Sequence, residues 1–329
     1  MPALRYRLLY YRFKRLLLSR LYVTRLLFGL GLLVILVVFS PVLFGFGRDV
    51  FRLTGSQLPS TSGRTNFLLM GIGGVNHDGP DLTDSLIFVS FKTDTGQATL
   101  LSLPRDIWVP SLKAKINTAY HYGQQRQPDG GGLVLAKSSV SEIINQPVHL
   151  GVVIDFATFQ QAVDLLGGLD VRVDNSFTDS HYPIPGQENA LCPGDPLYSC
   201  RYETVTFTSG LHHFDGATAL KFVRSRYAVG SEGSDFARNR RQAKVLASIK
   251  AKLLSWSVLT HPRLYLDLYH LLTKNVITDL QPDQYFALAK LALSASRQPL
   301  KIYSLSEPDQ LYNPPLSQEF DNQWILLFK

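Results

Sequence analysis

Apolar residues along this chain recur with two periods. Residues 66–72, NFLLMGI, form an unbroken apolar run that ends at glycines, the pattern of a strand buried on both faces. Residues 85–93, SLIFVSFKT, set Leu86, Phe88 and Ser90 against Ile87, Val89 and Phe91 and predict a second buried strand. Residues 98–104 predict a third, with Asp94-Thr95-Gly96 as the hairpin turn between them. VVIDF at 152–156 and LDVRV at 169–173 read as further strands. Helical spacing takes over at 157–168, where Phe159, Ala162, Val163 and Leu166 share a face and Gly167-Gly168 supply the stop. Residues 216–223 predict a short helix. Residues 234–254 predict a long one, striped by Val245, Leu246, Ile249 and Leu253 and capped by Ser234 or Asp235. Strands interleaved with helices imply an α/β domain with three layers, α-β-α. The hairpin makes its central sheet mixed.

One run has no polar period. Residues 26–47 carry no charge between Arg25 and Arg48. As a helix these 22 residues would reach about 33 Å, against a hydrocarbon core of about 30 Å. Seven basic residues and no acidic one precede the run. The positive-inside rule therefore places 1–25 in the cytoplasm as a basic tail, 26–47 as a transmembrane anchor, and everything after Arg48 outside. A cleaved signal peptide would have a shorter apolar stretch followed by small residues, and neither is present. The tail can bind anionic lipid or nucleic acid, but its plainer role is to set topology. A Gly/Ser/Thr/Pro linker closes the segment 48–65. The folded domain is expected over 66–255, with 256–329, read as helix, strand and coil, extending it.

Composition sharpens this picture in three places. With 45% hydrophobic and 18% charged residues, the 329-residue chain is not disordered. The net charge of +7 resides in the first 25 residues, because the remainder holds 26 basic and 26 acidic side chains, so a DNA-binding domain does not follow from it. Cys192 and Cys200, with Pro193, Gly194 and Pro196 between them, are expected to form a loop-closing disulfide outside the membrane; no matching Cys or His pair suggests zinc.

Candidate chemistry clusters at strand ends. There is no P-loop, Rossmann glycine motif, G-x-S-x-G or H-E-x-x-H. Residues 71–85 space Asp78, Asp81 and Asp84 three apart in a glycine-rich loop, a hard-oxygen set suited to Mg²⁺. SLPRD at 102–106 places Arg105 beside Asp106 where a strand leaves the sheet. RSRY at 224–227 projects Arg224 and Arg226 to one side of an extended segment, and Arg238 and Gln242 share a face of the long helix. Guanidinium groups gathered at a helix N-terminus would clamp a diphosphate.

These motifs, in the order NFLLMGI, DLTDSLIFVSF, SLPRDIWVP, KINTAY, IDFATFQQAVDLLGGLDV, GLHHFDGATALKFVRSRY and DFARNRRQ, resemble the LytR-CpsA-Psr family of bacterial cell-envelope proteins from about Asn66 to Leu254. The resemblance implies a membrane-anchored phosphotransferase. Such an enzyme moves a glycopolymer from a polyprenyl-pyrophosphate carrier onto peptidoglycan in cell-wall assembly, and polyprenyl phosphate leaves. It implies a hydrophobic groove for the lipid, with Arg105, Arg224, Arg226, Arg238 and Gln242 on the pyrophosphate. It implies Mg²⁺ (or Mn²⁺) at Asp84, and a secondary role for Lys115 and Asn117. Leu82 and Gly73 stand where the family often has Arg and Asp, and Asp81 or Asp78 would replace the missing metal carboxylate. Two alternatives use the same sequence: a non-catalytic envelope regulator or transcriptional attenuator, and a polyprenyl-pyrophosphate pyrophosphatase with water as acceptor.

Overall fold

The computed structural model describes residues 57–329, apart from 76, 78 and 306–309. The expected tail and anchor, 1–47, and Asp78 lie outside the described residues. Among the described residues, no helix is long and apolar enough to cross a membrane. Leu58–Lys329 form one compact unit.

Three long strands open it: β1 (Arg64–Ile72), β2 (Thr83–Lys92) and β3 (Ala98–Leu103). They pair antiparallel in sequence order, Leu69 opposite Ile87 and Val89 opposite Leu100. After a short hairpin of β4 (Trp108–Val109) and β5 (Ala114–Lys115), two helices follow, α1 (Ala119–Arg126) and α2 (Gly131–Ile144). The chain then returns as β6 (Leu150–Asp155), parallel to β1. Next come α3 (Phe156–Leu165), β7 (Leu169–Val173), β8 (Phe177–Pro183), β9 (Tyr202–Phe207), β10 (Gly210–Phe214), α4 (Gly216–Arg224) and α5 (Asp235–Leu253). The last stretch holds α6 (Trp256–Leu259), α7 (Pro262–Asn275), β11 (Ile277–Thr278), α8 (Tyr285–Ser296) and β12 (Lys301–Ser304). β11 and β12 take the two edges of the central sheet, whose order is β11-β6-β1-β2-β3-β12. β12 is parallel to β3 and β11 antiparallel to β6, so the sheet is mixed.

Strand alternation decides the layers. Leu68, Met70, Leu86 and Phe88 face α1 and α2 through Ala119, Tyr120, Leu133, Ala136 and Val140. Phe67, Leu69, Ile87 and Val89 face the other way, onto Leu246 of α5 and Leu288 and Leu291 of α8. A second core lies beneath α3, α4 and α5, where Val163, Phe222 and Val245 meet Val171 and Phe207. Side chains fix the helix starts. Asp155 accepts from the Thr158 amide, Asp215 from Thr218, and Ser234, rather than Asp235, from Ala237.

The fold departs from the sequence reading in three places. LDVRV does not enter the central sheet; β7 pairs with β10 in a ribbon of its own. α1 and α2 were not expected; Gly123 interrupts the pattern of α1, and Gly131 and Gly132 open α2. Those glycines are the packing surface: a Cβ on Gly123 would lie 2.3 Å from the Gly131 carbonyl oxygen. Arg224 is not in an extended segment but is the last residue of α4, and the chain turns extended only at Ser225.

Candidate active site

β1, β3 and β6 all run toward one end of the sheet, and β2 starts there. Asp84 therefore stands just inside β2, Arg105 just past β3 and Asp155 at the tip of β6. Asp84 is the hub. Its Oδ1 accepts from Arg105 Nη1 at 2.9 Å and from Arg226 Nη2 at 3.3 Å. Burial pushes the Asp84 carboxyl up, but the charges of Arg226, Arg105 and Arg224 more than reverse this and hold it below its ordinary value. Asp84 is thus ionised and committed to orienting arginines.

Arg224 completes the set from the end of α4. Its guanidinium lies 4.1 Å above the Phe156 ring and 3.5 Å from the Tyr182 hydroxyl. Burial raises the Tyr182 phenol, and Arg224 offsets this only in part. Asp106 pairs with Lys115 Nζ at 2.9 Å and with Arg105 Nε at 3.5 Å. Four cations, Arg105, Lys115, Arg224 and Arg226, thus surround two carboxylates, Asp84 and Asp106. Asp155, which lines the same cavity as Arg224, and buried Asp179, which holds the Arg226 amide, bring the carboxylates to four, so it is the convergence of guanidinium groups rather than a net charge that marks an anion site.

The remaining expected residues differ in place. Gln242 Nε2 donates to Ser85 Oγ at 2.9 Å, next to Asp84. Arg238 lies one turn earlier on α5 and is buried, 4% exposed. Asn117 acts through its backbone, its amide donating to the Arg105 carbonyl at 3.2 Å and its carbonyl accepting from Thr83. Asp81 is hydrogen-bonded to His121 Nδ1 at 2.8 Å. Among the described residues, no three His, Cys, Asp or Glu side chains gather as a metal cage. Cys192 and Cys200 are disulfide-bonded, with Cα atoms 5.8 Å apart.

An apolar cavity of about 150 Å³ adjoins the charges. Leu69, Ile87, Phe159, Leu220, Val245 and Leu246 form its walls, and Asp155, Arg224, Gln242 and Ser85 its polar rim. Gly71 keeps the floor low, since a Cβ there would meet Ser85 Cβ at 3.4 Å.

Several residues that build the site escaped the sequence reading. Asp179, fully buried, accepts from the amides of Arg226 at 2.9 Å and Tyr227 at 3.2 Å and so fixes the loop that carries Arg226. Arg241 binds the same loop from the other side, donating to the carbonyls of Ser225 and Phe222 and to Glu232. His77 packs edge-on against Phe156, pairs with Glu188 at 3.2 Å, and fills the space a side chain at Gly73 would need, 2.7 Å from its Cβ. Only Arg241 carried a signal, an arginine one helical turn before Val245, beside the apolar stripe.

Known proteins were compared with this chain. The profile of the LytR_cpsA_psr family matches residues 49–325. A Bacillus cereus protein named polyisoprenyl-teichoic acid–peptidoglycan teichoic acid transferase TagU is 28% identical over 236 residues, 70% of this chain and 65% of that protein. A protein of the same name from Oceanobacillus iheyensis is 32% identical over 235 residues, 70% of this chain and 63% of its own length. The chain thus spans about two thirds of the relatives it matches. Among solved structures, Bacillus subtilis TagV superposes with a TM-score of 0.55 at 22% identity, covering 82% of this chain and 92% of that one, a likeness of fold.

Proposed function

The chain belongs to the LytR_cpsA_psr family, and from that premise we propose that it transfers a glycopolymer from a polyprenyl-diphosphate carrier to peptidoglycan. The relatives' names, which describe a polyisoprenyl-linked teichoic acid as donor and peptidoglycan as acceptor, support the substrate class. The observation that carries the reading is the junction of converging guanidinium groups with an apolar cavity. A lipid diphosphate has that same division, a long apolar chain ending in concentrated negative charge.

In this mechanism the prenyl chain occupies the cavity, and Arg224 at its rim meets the first phosphate. Arg105 and Arg226, held by Asp84, take the phosphate that bears the glycopolymer. A peptidoglycan hydroxyl attacks that phosphorus, the bond to the bridging oxygen breaks, and polyprenyl phosphate leaves, its freed oxygen or solvent taking up the hydroxyl's proton. Phosphoryl transfer of this kind asks the protein mainly for positioning and charge neutralisation. Fixed guanidinium groups supply both without reorganising. Asp84, with its lowered affinity for a proton, is a poor general base and serves as an orienter.

The donor set suits a hard cation that shares its shell with substrate. Mg²⁺ typically takes one or two carboxylates and completes its octahedron with phosphate oxygens and water. Asp84 offers one carboxylate beside the arginines, and Asp81, held by His121, lies in the turn that leads into β2. When bound, Mg²⁺ (or Mn²⁺) would neutralise charge on the diphosphate. Asp84→Asn should leave residual turnover that no longer responds to added Mg²⁺.

The deciding experiment reconstitutes the full chain in vesicles with a polyprenyl-diphosphate-linked oligosaccharide and peptidoglycan fragments. A phosphodiester-linked conjugate is the expected product. Glycan phosphate released equally with and without acceptor would make it a pyrophosphatase. No consumption of donor at all would make it a binding protein.

A further inference from the structure

α5 has a hollow on each flank. Gln242, Val245 and Leu246 line the apolar cavity beside Arg224. Asn239, Ala243 and Ala247, at steps of four residues, line a second groove of about 400 Å³, which Ile302 and Tyr303 of β12 bound from the sheet edge. The two short alanine side chains give this groove its depth. Asn239 marks where it meets the site: its Oδ1 accepts from Ser102 Oγ at 2.7 Å, a buried bond, and Ser102 is three residues before Arg105.

Sheet order selects the occupant. The apolar cavity lies on β6, β1 and β2, which contribute Ile154, Leu69 and Ile87 to its walls. Asp84 and Arg105 stand at the ends of β2 and β3, and the second groove lies at β12, the next strand outward. The Asp84–Arg105 pair is therefore between the two hollows. Phosphoryl transfer sets the attacking and leaving oxygens roughly in line through phosphorus. In the proposed reaction polyprenyl phosphate departs toward the apolar cavity, so the attacking hydroxyl enters from the side of the groove. The lining fits an acceptor of this kind. It holds two cations, Arg240 and Lys244, and no carboxylate; their ion-pair partners, Glu232 and Asp174, lie outside it, and Glu232 is shared with Arg241. Tyr303 is 55% exposed, and an aromatic face, negative at its centre, packs on the C–H groups of a sugar ring. A peptidoglycan strand offers both partners at once, sugar rings and peptides that end in carboxylates.

We propose that the groove between α5 and β12 is the acceptor subsite, holding a peptidoglycan strand with a sugar ring on Tyr303 and peptide carboxylates at Arg240 and Lys244. The proposal rests on the transfer reading, and its test tells the two apart. Full-length chain in vesicles is assayed with a polyprenyl-diphosphate-linked oligosaccharide as donor and a peptidoglycan tetrasaccharide carrying its peptides as acceptor. Ala247→Trp, which fills the groove from an exposed position, and Tyr303→Ala should each raise the acceptor KM at least fivefold and leave the donor KM within twofold of the parent chain's. Tyr303→Phe, which keeps the ring, should match the parent. Calorimetric binding of the tetrasaccharide without donor should weaken in the first two variants by the same factor as KM. Parental acceptor KM and binding in both, with conjugate still formed, would overturn the subsite and leave the transfer standing. A rise in donor KM alone would give the groove to the donor's glycan and overturn the proposal. A parent dimer that Ala247→Trp converts to monomer, with acceptor KM unchanged, would give it to a second copy and overturn the proposal as well. A parent chain that binds the tetrasaccharide and forms no conjugate would remove the transfer reading, and the acceptor role with it.

Discussion

Two arginine clusters stand side by side in this domain, and the same pair of sequence motifs builds both. Arg226 and Arg224 of the first motif meet Asp84, while Arg241 of the second meets Glu232 and the carbonyls of Phe222 and Ser225. In the first cluster the side chains are 24–34% exposed at Arg226, Asp84 and Arg105. In the second, the Arg241 side chain is 3% exposed. Burial is the largest influence on both key groups, yet the outcomes are opposite. At Asp84 the surrounding arginines override it. At Arg241 burial wins, lowering the guanidinium's proton affinity despite Glu232. An arginine whose donors are spent on backbone carbonyls is scaffold. Arginines that crowd one carboxylate hold charge in reserve for a ligand.

The hardest way to break this contrast is Arg241→Ala. It takes from Glu232 its buried partner, leaving partly exposed Arg240 and Asn175, and releases the carbonyls of Phe222 in α4 and Ser225 in the loop that carries Arg226. Removing one member of a buried pair costs about 3–5 kcal/mol, a large part of a domain's stability. Denaturant unfolding should show that loss, and any turnover should fall with the folded fraction. A stable but inactive Arg241→Ala protein would move this residue into the site and erase the contrast.

The same contrast explains what could be read in advance. The central strands and the approach of Arg105 to Asp84 were legible, because apolar strands are bounded by the polar residues at their ends, whereas Arg226 follows a helix and was singled out only by its spacing from Arg224. Asp179 was not legible. It sits in an unremarkable polar stretch, and its role exists only through contact with amides 47 residues away. Arg238 and Arg241 look alike in the sequence, three residues apart on one helix, and helix periodicity does not say which meets backbone carbonyls. β10 was hidden because the histidines in GLHHF lie half-exposed on a ribbon rather than in a core. His77 replaces the side chain missing at Gly73 by a loop fold that no local pattern encodes.

A smaller effect sharpens the contrast from the other side. Arg226→Ala leaves the loop's backbone bonds to Asp179 in place and removes a partly exposed guanidinium together with its bond to Asp84. A charge-assisted hydrogen bond to a phosphate is worth about 1.5–3 kcal/mol, so donor turnover should drop at least tenfold. Arg226→Lys should recover part of it, since ammonium keeps the charge but loses the bidentate fork. Unfolding midpoints of both variants should stay near that of the parent chain. Arg105→Ala should behave alike. If instead these variants unfold while activity per folded molecule is unchanged, the exposed cluster is scaffold too.

The smallest effect is the titration of Asp84, and it tests whether the exposed cluster carries stored charge. Its folded-state proton affinity is depressed, because the pull of Arg226, Arg105 and Arg224 exceeds the opposing push of burial. A depressed carboxyl stabilises the fold above its unfolded value, about 3.9, and that contribution is lost as pH falls through the lower folded value. Between pH 7 and 5 both states are ionised, so the stability difference between the parent chain and Asp84→Asn should be flat. Below about pH 4 it should shrink. Partly exposed ion pairs contribute about 0.2–1 kcal/mol each, so the difference is small but within reach of urea midpoints. In an Arg226→Ala background the largest attractive charge is gone, Asp84 is less depressed, and the decline should begin at higher pH. A parent chain that instead gains stability relative to Asp84→Asn as pH falls from 7 to 5 would mean that burial outweighs the arginines at Asp84, and that the two clusters obey one rule.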